Sequence, residues 1–440
     1  MLNGYPRITP IGRDALERAL ALRDLTDETA GRHAMQLLLS RITDALATQW
    51  RAQERICRGH PVVSVADNYD RLHYPPDAVT RDARYSRYVT EDTLLRTHTT
   101  ALVPAALRRI AQGGAGDVLL ACPGLVYRRD TIDRLHTGEP HQLDLWRITR
   151  GWLTTSDLEA MASTVVHATL PGAEYRLIAA SHPYTVRGRQ IDVRAGDQWI
   201  EVGECGLALP ALLRESGLDE PWSGLAMGLG LDRLLMIAKG IDDVRLLRSS
   251  DPRVARQMLD LEQYRPVSDQ PAIRRDLSVG IAQGTSAEEI GDRVRQALEN
   301  RAQDLEAVEI LARTSYDDVP VEARRRIGML PEHDNVLVRL VIRPLDRTLT
   351  AGEANRLRDQ VYAALHEGNA WQWAESNVAA GARGSTPAET GTLTAPAETA
   401  SSAGTESSTA GPASRPPTSR ASEPPPVPTP AGRAATHESQ

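Results

Sequence analysis

An α+β protein with two sheet-forming units is what this sequence predicts, and three observations carry the prediction. Between residues 116 and 236 short apolar runs alternate with turn residues, at 118–128, 141–149, 174–180, 190–195, 198–209 and 223–231. That is the signature of an antiparallel sheet. From 264 to 373 a second stretch reads strand, helix, strand, strand, helix, an order that suits a small α+β sandwich. After residue 376 the composition collapses into Ala, Pro, Ser, Thr, Gly and Glu with no apolar periodicity, so the tail has too little apolar surface to fold and is expected to be disordered.

The elements follow in order. Residues 12–30 are polar and helix-prone, within an N-terminal segment 1–30. Residues 31–56 place apolar side chains at helical spacing and read as one long amphipathic helix. Residues 61–90, with Pro75-Pro76, are loop-rich, and 91–112 reads as a helix capped by Thr90 or Asp92. Helices at 156–169 and 231–239 interrupt and close the sheet run. In the second unit the strands fall at 275–282, 306–312 and 335–343, and the helices at 286–299 and 350–366. Two domains are therefore expected, 31–262 and 264–373, followed by the tail 376–440.

The totals narrow the function classes. A chain of 440 residues accommodates two cores. The net charge of −7 means that a nucleic-acid partner would have to meet a local basic surface, not a global field. Three cysteines, Cys57, Cys122 and Cys205, have no CxxC spacing and an odd count, which argues against a disulfide framework and for a reducing cytoplasm. No basic start followed by an apolar run marks a secretion signal, and no stretch of eighteen apolar residues suits a membrane span. Lys239 is the only lysine against fifty arginines, as a GC-rich genome would produce. Phenylalanine is absent although eleven tyrosines remain. That absence reads as selected, because Tyr and Phe codons are similarly placed with respect to GC content and a GC-rich genome alone would not spare one and remove the other.

The chemistry concentrates in two segments. Residues 124–146 (GLVYRRDTIDRLHTGEPHQLDLW) carry Arg128, Asp130, His136, Gln142 and Asp144 within one strand–turn–strand. An Arg fork pairs with a phosphate through two parallel hydrogen bonds, and amide and carboxylate oxygens accept from a small amine. Residues 223–236 (SGLAMGLGLDRLLM) form a small-residue strand, a tight turn and a helix opening on Arg233, where glycines let the backbone approach a ligand. Alone, each arginine is a surface residue in an arginine-rich chain; together the two segments suit a nucleotide held beside an amine.

Together these segments resemble motifs 2 and 3 of class II aminoacyl-tRNA synthetases, most closely those of the phenylalanine enzymes. LLRTHTT at 94–100 resembles the family string LLRTHTS, and residues 67–85 resemble the family's NFDxLxxPxDHPxR region. The resemblance spans about residues 30–373 and implies a class II synthetase fold, an antiparallel sheet flanked by helices, followed by a ferredoxin-like anticodon-binding domain. It implies ATP and Mg2+ as cofactors, with Arg128 on the α-phosphate, Asp130 near the adenine amino group, His136 toward the pyrophosphate and Arg233 stacked on adenine. Glu201, in WIEVGECG, matches an acid that binds magnesium. Gln142 and Asp144 would hold the amino group of an amino acid, with His98 and Thr100 beside it. The family reads FHQxE where this chain has Pro140-His141-Gln142-Leu143-Asp144, so a proline ring replaces the aromatic that stacks on adenine. Cys205 reads as core.

The pocket departs from the family. Where the phenylalanine enzymes carry FPFTEPSxEVDV, this chain has HPYTVRGRQIDV at 182–193, with His182 and Tyr184 in place of the two rings that grip the substrate. Ala226 matches the small residue at the pocket end. Buried polar groups reject a ligand that leaves them unpaired, so a polar, hydroxylated or smaller amino acid is expected. In the second unit, Arg274, Arg275 and Arg347, with Arg324, Arg325, Arg326 and Arg343, form the candidate tRNA phosphate surface, and Trp371 and Trp373 the candidate stacking platforms. The expected partners are an amino acid, ATP and tRNA, with no membrane; the chain is a monomer, or a homodimer through the 31–56 helix. Two other readings remain: an adenylate-forming ligase with a non-tRNA acceptor, and a non-catalytic RNA-binding or regulatory relative.

Overall fold

The computed structural model describes residues 10–114, 116–267, 271–345 and 347–370. Nine strands come first: β1 (Gln53–Ile56), β2 (Val62–Ser64), β3 (Thr93–Leu95), β4 (Asp117–Leu125), β5 (His141–Arg150), β6 (Tyr175–Ala179), β7 (Thr185–Ala195), β8 (Gln198–Ala208) and β9 (Trp222–Gly230). Seven of them form one sheet in the order β1-β4-β5-β9-β8-β7-β6. All its pairings are antiparallel except β1 with β4, as the alternation of apolar runs and turns required.

Eight helices accompany these strands: α1 (Arg13–Leu20), α2 (Ala34–Trp50), α3 (Val65–Asn68), α4 (Val103–Gly113), α5 (Thr155–Thr169), α6 (Pro210–Glu215), α7 (Leu231–Lys239) and α8 (Pro252–Gln257). The central strands are apolar on both faces, which splits the core. Leu119 and Ala121 of β4 pack with Leu38 and Ile42 of α2, Met161 of α5 and Leu235 of α7. Val118, Leu120 and Cys122 point the other way, to Leu107 of α4 and Leu213 of α6. Period-2 alternation along β4 produces this division.

Two expected helices are shorter than the periodicity suggested. The 31–56 helix stops at Trp50, because Arg51 turns left-handed (φ 53°) and β1 then pairs parallel with β4. The 91–112 helix begins only at Val103, with Pro104 in its first turn. Residues 93–95 are instead β3, antiparallel to β2. Arg96 explains the difference: its Nε donates to the Leu125 carbonyl at 2.7 Å and its Nη1 to the Gly59 carbonyl at 3.0 Å. Those tertiary bonds, with Leu94 and Leu95 both buried, outweigh local helix propensity.

The second sheet is made of β10 (Ile273–Ala282), β11 (Leu305–Ser315) and β12 (His333–Ile342), ordered β10-β12-β11 and antiparallel throughout. The helices α9 (Ala287–Leu298) and α11 (Ala351–Leu365) flank it, and the short α10 (Val321–Ile327) lies between β11 and β12. Capping boxes at Ser286/Glu289 and Thr350/Glu353 start the two long helices where the sequence placed them. This sheet has its own core of Val279, Ile290, Val338 and Leu357, into which Ile132 inserts from the loop between β4 and β5. Around that insertion the Arg87 guanidinium pairs with Asp292 of α9 at 3.1 Å and with Glu139, and Arg295 donates to the carbonyls of Asp130 and Thr131 at 2.7 and 2.5 Å. The tail 376–440 and both Trp371 and Trp373 lie outside the described residues.

Lys239 ends α7 fully buried. Its ammonium donates to the Asp260 carbonyl at 2.9 Å, the Asp260 carboxylate at 3.1 Å and the Glu262 carbonyl at 2.6 Å. Three convergent acceptors suit a compact ammonium with three donors and not a planar fork. That is a physical reason for one lysine to survive among fifty arginines. Lys239→Arg should therefore overpack this site and lower stability by about 1–3 kcal/mol, read as an earlier urea midpoint at unchanged slope; a midpoint at or above that of the parent chain would refute the account.

Candidate active site

The site is built on the pairing of β5 with β9, which sets Gln142 opposite Gly230, Asp144 opposite Gly228 and Trp146 opposite Ala226. Gly228 keeps the floor open: a Cβ there would stand 3.3 Å from Gln142 Nε2 and 3.9 Å from Asp144 Oδ2. Since α7 follows β9 without a gap, the same register brings Arg233 to the Gln142–Asp144 end of the sheet. Arg233 Nη1 donates to the Glu201 carbonyl at 2.7 Å. Its sequence neighbour Asp232 is occupied elsewhere: its carboxylate accepts from the His141 backbone N–H and meets His141 Nδ1 at 2.9 Å. His141 Nε2 accepts from the Leu25 N–H at 3.0 Å, so Nδ1 carries the proton and donates to Asp232. Burial raises the Asp232 carboxyl, but the His141 contact outweighs it and holds the group below the usual carboxylate range.

Asp144 is buried to 1 % exposure. Its Oδ2 accepts from Thr100 Oγ1 at 2.8 Å and from Thr99 Oγ1 and Gln142 Nε2 at 3.2 Å, and its Oδ1 from Trp146 Nε1 at 3.2 Å. Burial pushes its pKa up to about 6 against the lowering effect of those donors. No arginine or lysine pairs with it among the described residues; neutral donors bond it, and His182 is the charged group that acts on it. Such a carboxylate attracts an incoming ammonium group.

A one-residue slip in the β7–β8 ladder, from Ile191↔Gly203 to Asp192↔Glu201, shapes the opposite wall. Val202 turns into the core, and Glu201 then shares the open face with Glu204 although they are three residues apart. Glu204 Oε2 lies 2.5 Å from His182 Nε2. That bond raises the His182 pKa against burial, with further help from Asp144 and Glu201. The Glu201 carboxyl is raised by burial and by Glu204, and lowered by both Arg233 and Arg128. Two guanidinium groups from distant segments thus act on one carboxylate.

Aromatic rings close the pocket. Tyr184 lies with its centroid 5.7 Å from His182, 6.1 Å from Trp146 and 6.2 Å from Tyr74. Tyr74 in turn stacks on His98 at 5.7 Å and 18°. Burial, then Arg128, lowers the His98 pKa to about 3, so the ring is neutral. His98 precedes a 3-10 turn over Thr99–Leu102 in extended conformation and is not on a helix; that turn delivers both threonine hydroxyls to Asp144. Ala226 is buried beneath Trp146 in the strand register.

Arg128 is exposed, its backbone held by an isolated bridge to Ser86 and by its N–H to the Gly138 carbonyl at 2.8 Å. Pro140 accepts from the Val126 N–H at 2.9 Å and closes the same loop. His136 Nδ1 lies 2.8 Å from Asp133 Oδ2, which raises the imidazole pKa, while Arg233 lowers it. Asp130 is turned toward the second sheet: its carbonyl takes Arg295 and its carboxylate the Thr131 N–H at 2.9 Å. Arg128, His136, Gln142, Asp144, His182, Tyr184, Glu201 and Arg233 are thus linked, through contacts or through their charges, into one network. Tyr74, Trp146, Thr99 and Glu204 join them, and no motif singled them out. Glu204 was hidden because strict strand alternation puts it on the face away from Glu201.

The candidate tRNA residues are more dispersed. Arg274 is exposed, but Arg275 Nε donates to Asn355 at 2.8 Å and Arg347 pairs with Glu353 at 2.8 Å. Among the described residues no helix is long and apolar enough to cross a membrane.

Residues 20–258 match the family model described as tRNA synthetases class II core domain (F). Phenylalanine–tRNA ligase alpha subunit of Prochlorococcus marinus (strain MIT 9313) is 36 % identical over 204 residues, which are 46 % of this chain and 59 % of that one. The alpha subunit of Bacillus pumilus (strain SAFR-032) is 31 % identical over 240 residues, 51 % of this chain and 68 % of that one. The first relatives are thus spanned over little more than half their length, 59 % and 56 %. Among solved structures, pyrrolysyl-tRNA synthetase from Desulfitobacterium hafniense aligns with a TM-score of 0.40 at 21 % identity, over 54 % of this chain and 78 % of that one, a likeness too loose to add to the sequence match. With residues 20–258, more than half its length, inside the family match, this chain belongs to the class II aminoacyl-tRNA synthetase core-domain family (F).

Proposed function

We propose that this chain activates an amino acid with ATP and transfers the acyl group to tRNA, and that the amino acid carries a polar side chain. The convergence of Arg128 and Arg233 on Glu201, beside the Gln142–Asp144 hook, is the observation that supports this reading most. In it, Asp144 and Gln142 take the α-ammonium group, with Thr99 and Thr100 holding the carboxylate in place. The substrate carboxylate oxygen attacks the α-phosphorus of ATP; the new P–O bond forms as the bond to pyrophosphate breaks. Arg128 neutralises the charge on the α-phosphate, His136 faces the leaving pyrophosphate, and Arg233 with Pro140 brackets the adenine. Glu201 would hold Mg2+, an ion commonly bound by one or two carboxylates plus substrate phosphates, and the ion would there offset phosphate charge. Positioning and charge neutralisation supply the rate, so no strong general base is required.

The side-chain pocket supports the polar substrate. A His182–Glu204 ion pair and the Tyr74 and Tyr184 rings line it, and an all-apolar side chain would desolvate that pair without replacing its hydrogen bonds. The engagement of Arg275 and Arg347 within their own domain favours testing a non-tRNA acceptor in parallel. We keep 31–262 and 264–373 as the two functional domains, the second taking RNA through surfaces such as Arg274, in the cytoplasm.

Amino-acid-dependent ATP–pyrophosphate exchange across a panel should be strongest for a polar or hydroxylated amino acid and fall roughly 10²–10³-fold in Arg128→Ala and in Arg233→Ala; strongest exchange with phenylalanine would reject the specificity. Acid-precipitable labelling of bulk tRNA separates tRNA from other acceptors.

Asp144 sets a pH limb. Its folded pKa of about 6 lies above the ordinary carboxylate value, so the charged form that holds an ammonium group is lost as pH falls through about 6. Substrate kcat/KM should drop over that range with a single-proton slope, and the limb should vanish in Asp144→Asn; a profile flat from pH 7 to 5 in the parent enzyme would contradict it.

Replacing the pair by apolar groups should reverse the preference. His182→Phe with Glu204→Ala is expected to raise kcat/KM for phenylalanine relative to the polar substrate by about tenfold or more. No change in that ratio would remove the pair from specificity.

A further inference from the structure

β1 and β4 run parallel, with Ile56 opposite Ala121, and the Cys57 N–H donates to the Ala121 carbonyl at 2.8 Å. The next pair in that register is Cys57 with Cys122. Alternation on β4 sends Leu119 and Ala121 into one core and Val118, Leu120 and Cys122 into the other, and Cys57 packs against the same second core. Both side chains therefore stand on one face of adjacent strands. Neighbouring strands lie about 4.8 Å apart, within the ~4.4–6.8 Å between Cα atoms that a disulfide spans. The two thiols lie close enough that each perturbs the other's ionisation. Cys57 is partly exposed, Cys122 is buried, and the third cysteine, Cys205, lies in the opposite core.

From this juxtaposition we infer that Cys57 and Cys122 form an oxidisable dithiol, with Cys57 the attacking sulfur and Cys122 the resolving one, which peroxide closes to an intramolecular disulfide.

The surroundings divide the labour. Hydrogen bonding from Cys122, against the effect of burial and with the Arg109 and Arg96 guanidinium groups assisting, lowers the Cys57 pKa to about 6. The bond to Cys57 and burial raise Cys122 well above its ordinary value, with Asp144 adding to the shift. Ionisation therefore favours Cys57, the partly exposed member of the pair, over the buried Cys122. The Cys57 thiolate attacks one oxygen of hydrogen peroxide; an S–O bond forms, the O–O bond breaks, and hydroxide leaves to become water. Cys122, losing its proton, then attacks the Cys57 sulfenic sulfur; the S–S bond forms and the S–O bond breaks, releasing a second water. Two thiols are oxidised by two electrons and one peroxide is reduced to two waters. Burial of Cys122 bars bulky adducts there, so the disulfide is the oxidised form the packing admits. The bond would lie one strand from Asp144, since Cys122 and Asp144 are cross-strand partners of β4 and β5.

The full chain, treated with hydrogen peroxide and then alkylated with iodoacetamide under denaturing, non-reducing conditions, should lose two hydrogens and yield one crosslinked peptide joining Cys57 to Cys122. Dithiothreitol should reverse it, and Cys205 should be alkylated throughout. Before oxidation, Cys57 should alkylate at neutral pH at least tenfold faster than Cys205. In Cys122→Ala the Cys57 sulfenic acid should persist and be trapped by dimedone; in Cys57→Ala, Cys122 should survive as a free thiol. Full alkylation of both cysteines after peroxide, a crosslink between two chains, or Cys57 reacting no faster than Cys205 would each overturn the assignment, and the first of these needs no variant.

Discussion

The register of β5 against β9 is the constraint on which the rest of this protein depends. One antiparallel ladder, from Gln142↔Gly230 to Arg150↔Trp222, joins segments some eighty residues apart in the chain. A slip of one residue would turn Asp144 and Trp146 into the opposite core and exchange them with Leu143 and Leu145. That swap would bury a carboxylate among leucines and strip Asp144 of its threonine and indole donors, so hydrophobic pairing on the far face enforces the geometry of the polar face. Because α7 continues β9 directly, the same ladder sets where Arg233 emerges. His141 and Asp232, joined across the end of the ladder and tied to Leu25, close it against fraying.

On the open face the balance of charge decides the chemistry. Three carboxylates, Asp144, Glu201 and Glu204, stand within one another's fields with Arg128, Arg233 and His182. Asp144 is kept dry and pairs only with neutral donors; Glu201 is shared by the two arginines; Glu204 is bound to His182. Asp144 and Glu204 both interact with His182, whereas Glu201 feels the two arginines, so neighbouring acids sit in different electrostatic surroundings. The β7–β8 slip at Val202 makes this possible, because it alone lets Glu201 and Glu204 face the same way.

The loop carrying Arg128 and His136 is held from behind by the second sheet. Ile132 enters that sheet's core, Val308 donates to the Ile132 carbonyl at 2.8 Å, and Arg87, Arg129, Glu139, Asp292 and Arg295 form a largely buried polar network there. Burying such a network stabilises little in net terms, yet breaking one partner is costly. Its effect is to fix the loop in one arrangement. The position of the second sheet is therefore part of what holds the Arg128–His136 loop in place.

Much of this was legible in the chain alone, and the limit is instructive. Period-2 runs named β4 to β9, helical stretches at 156–169, 286–299 and 350–366 marked α5, α9 and α11, and the two family-like segments pointed to Arg128, Gln142, Asp144 and Arg233, because each signal is local: a side chain, its neighbours two to four residues away, and a turn. The stop of α2 at Arg51, the conversion of residues 93–95 from expected helix to β3, and the entry of Tyr74, Thr99 and Glu204 into the site were not legible. Each is decided by a partner distant in sequence: β4 captures β1, the Leu125 carbonyl captures Arg96, and a ladder slip reorients Glu201 beside Glu204. The sequence by itself determined which segments alternate, cap and turn, and hence the α+β class and the chemical types available. Only the tertiary structure decided which of those groups share a face, because strand register and bulges are set by pairing across the sheet, where one residue of shift reverses the direction of every side chain.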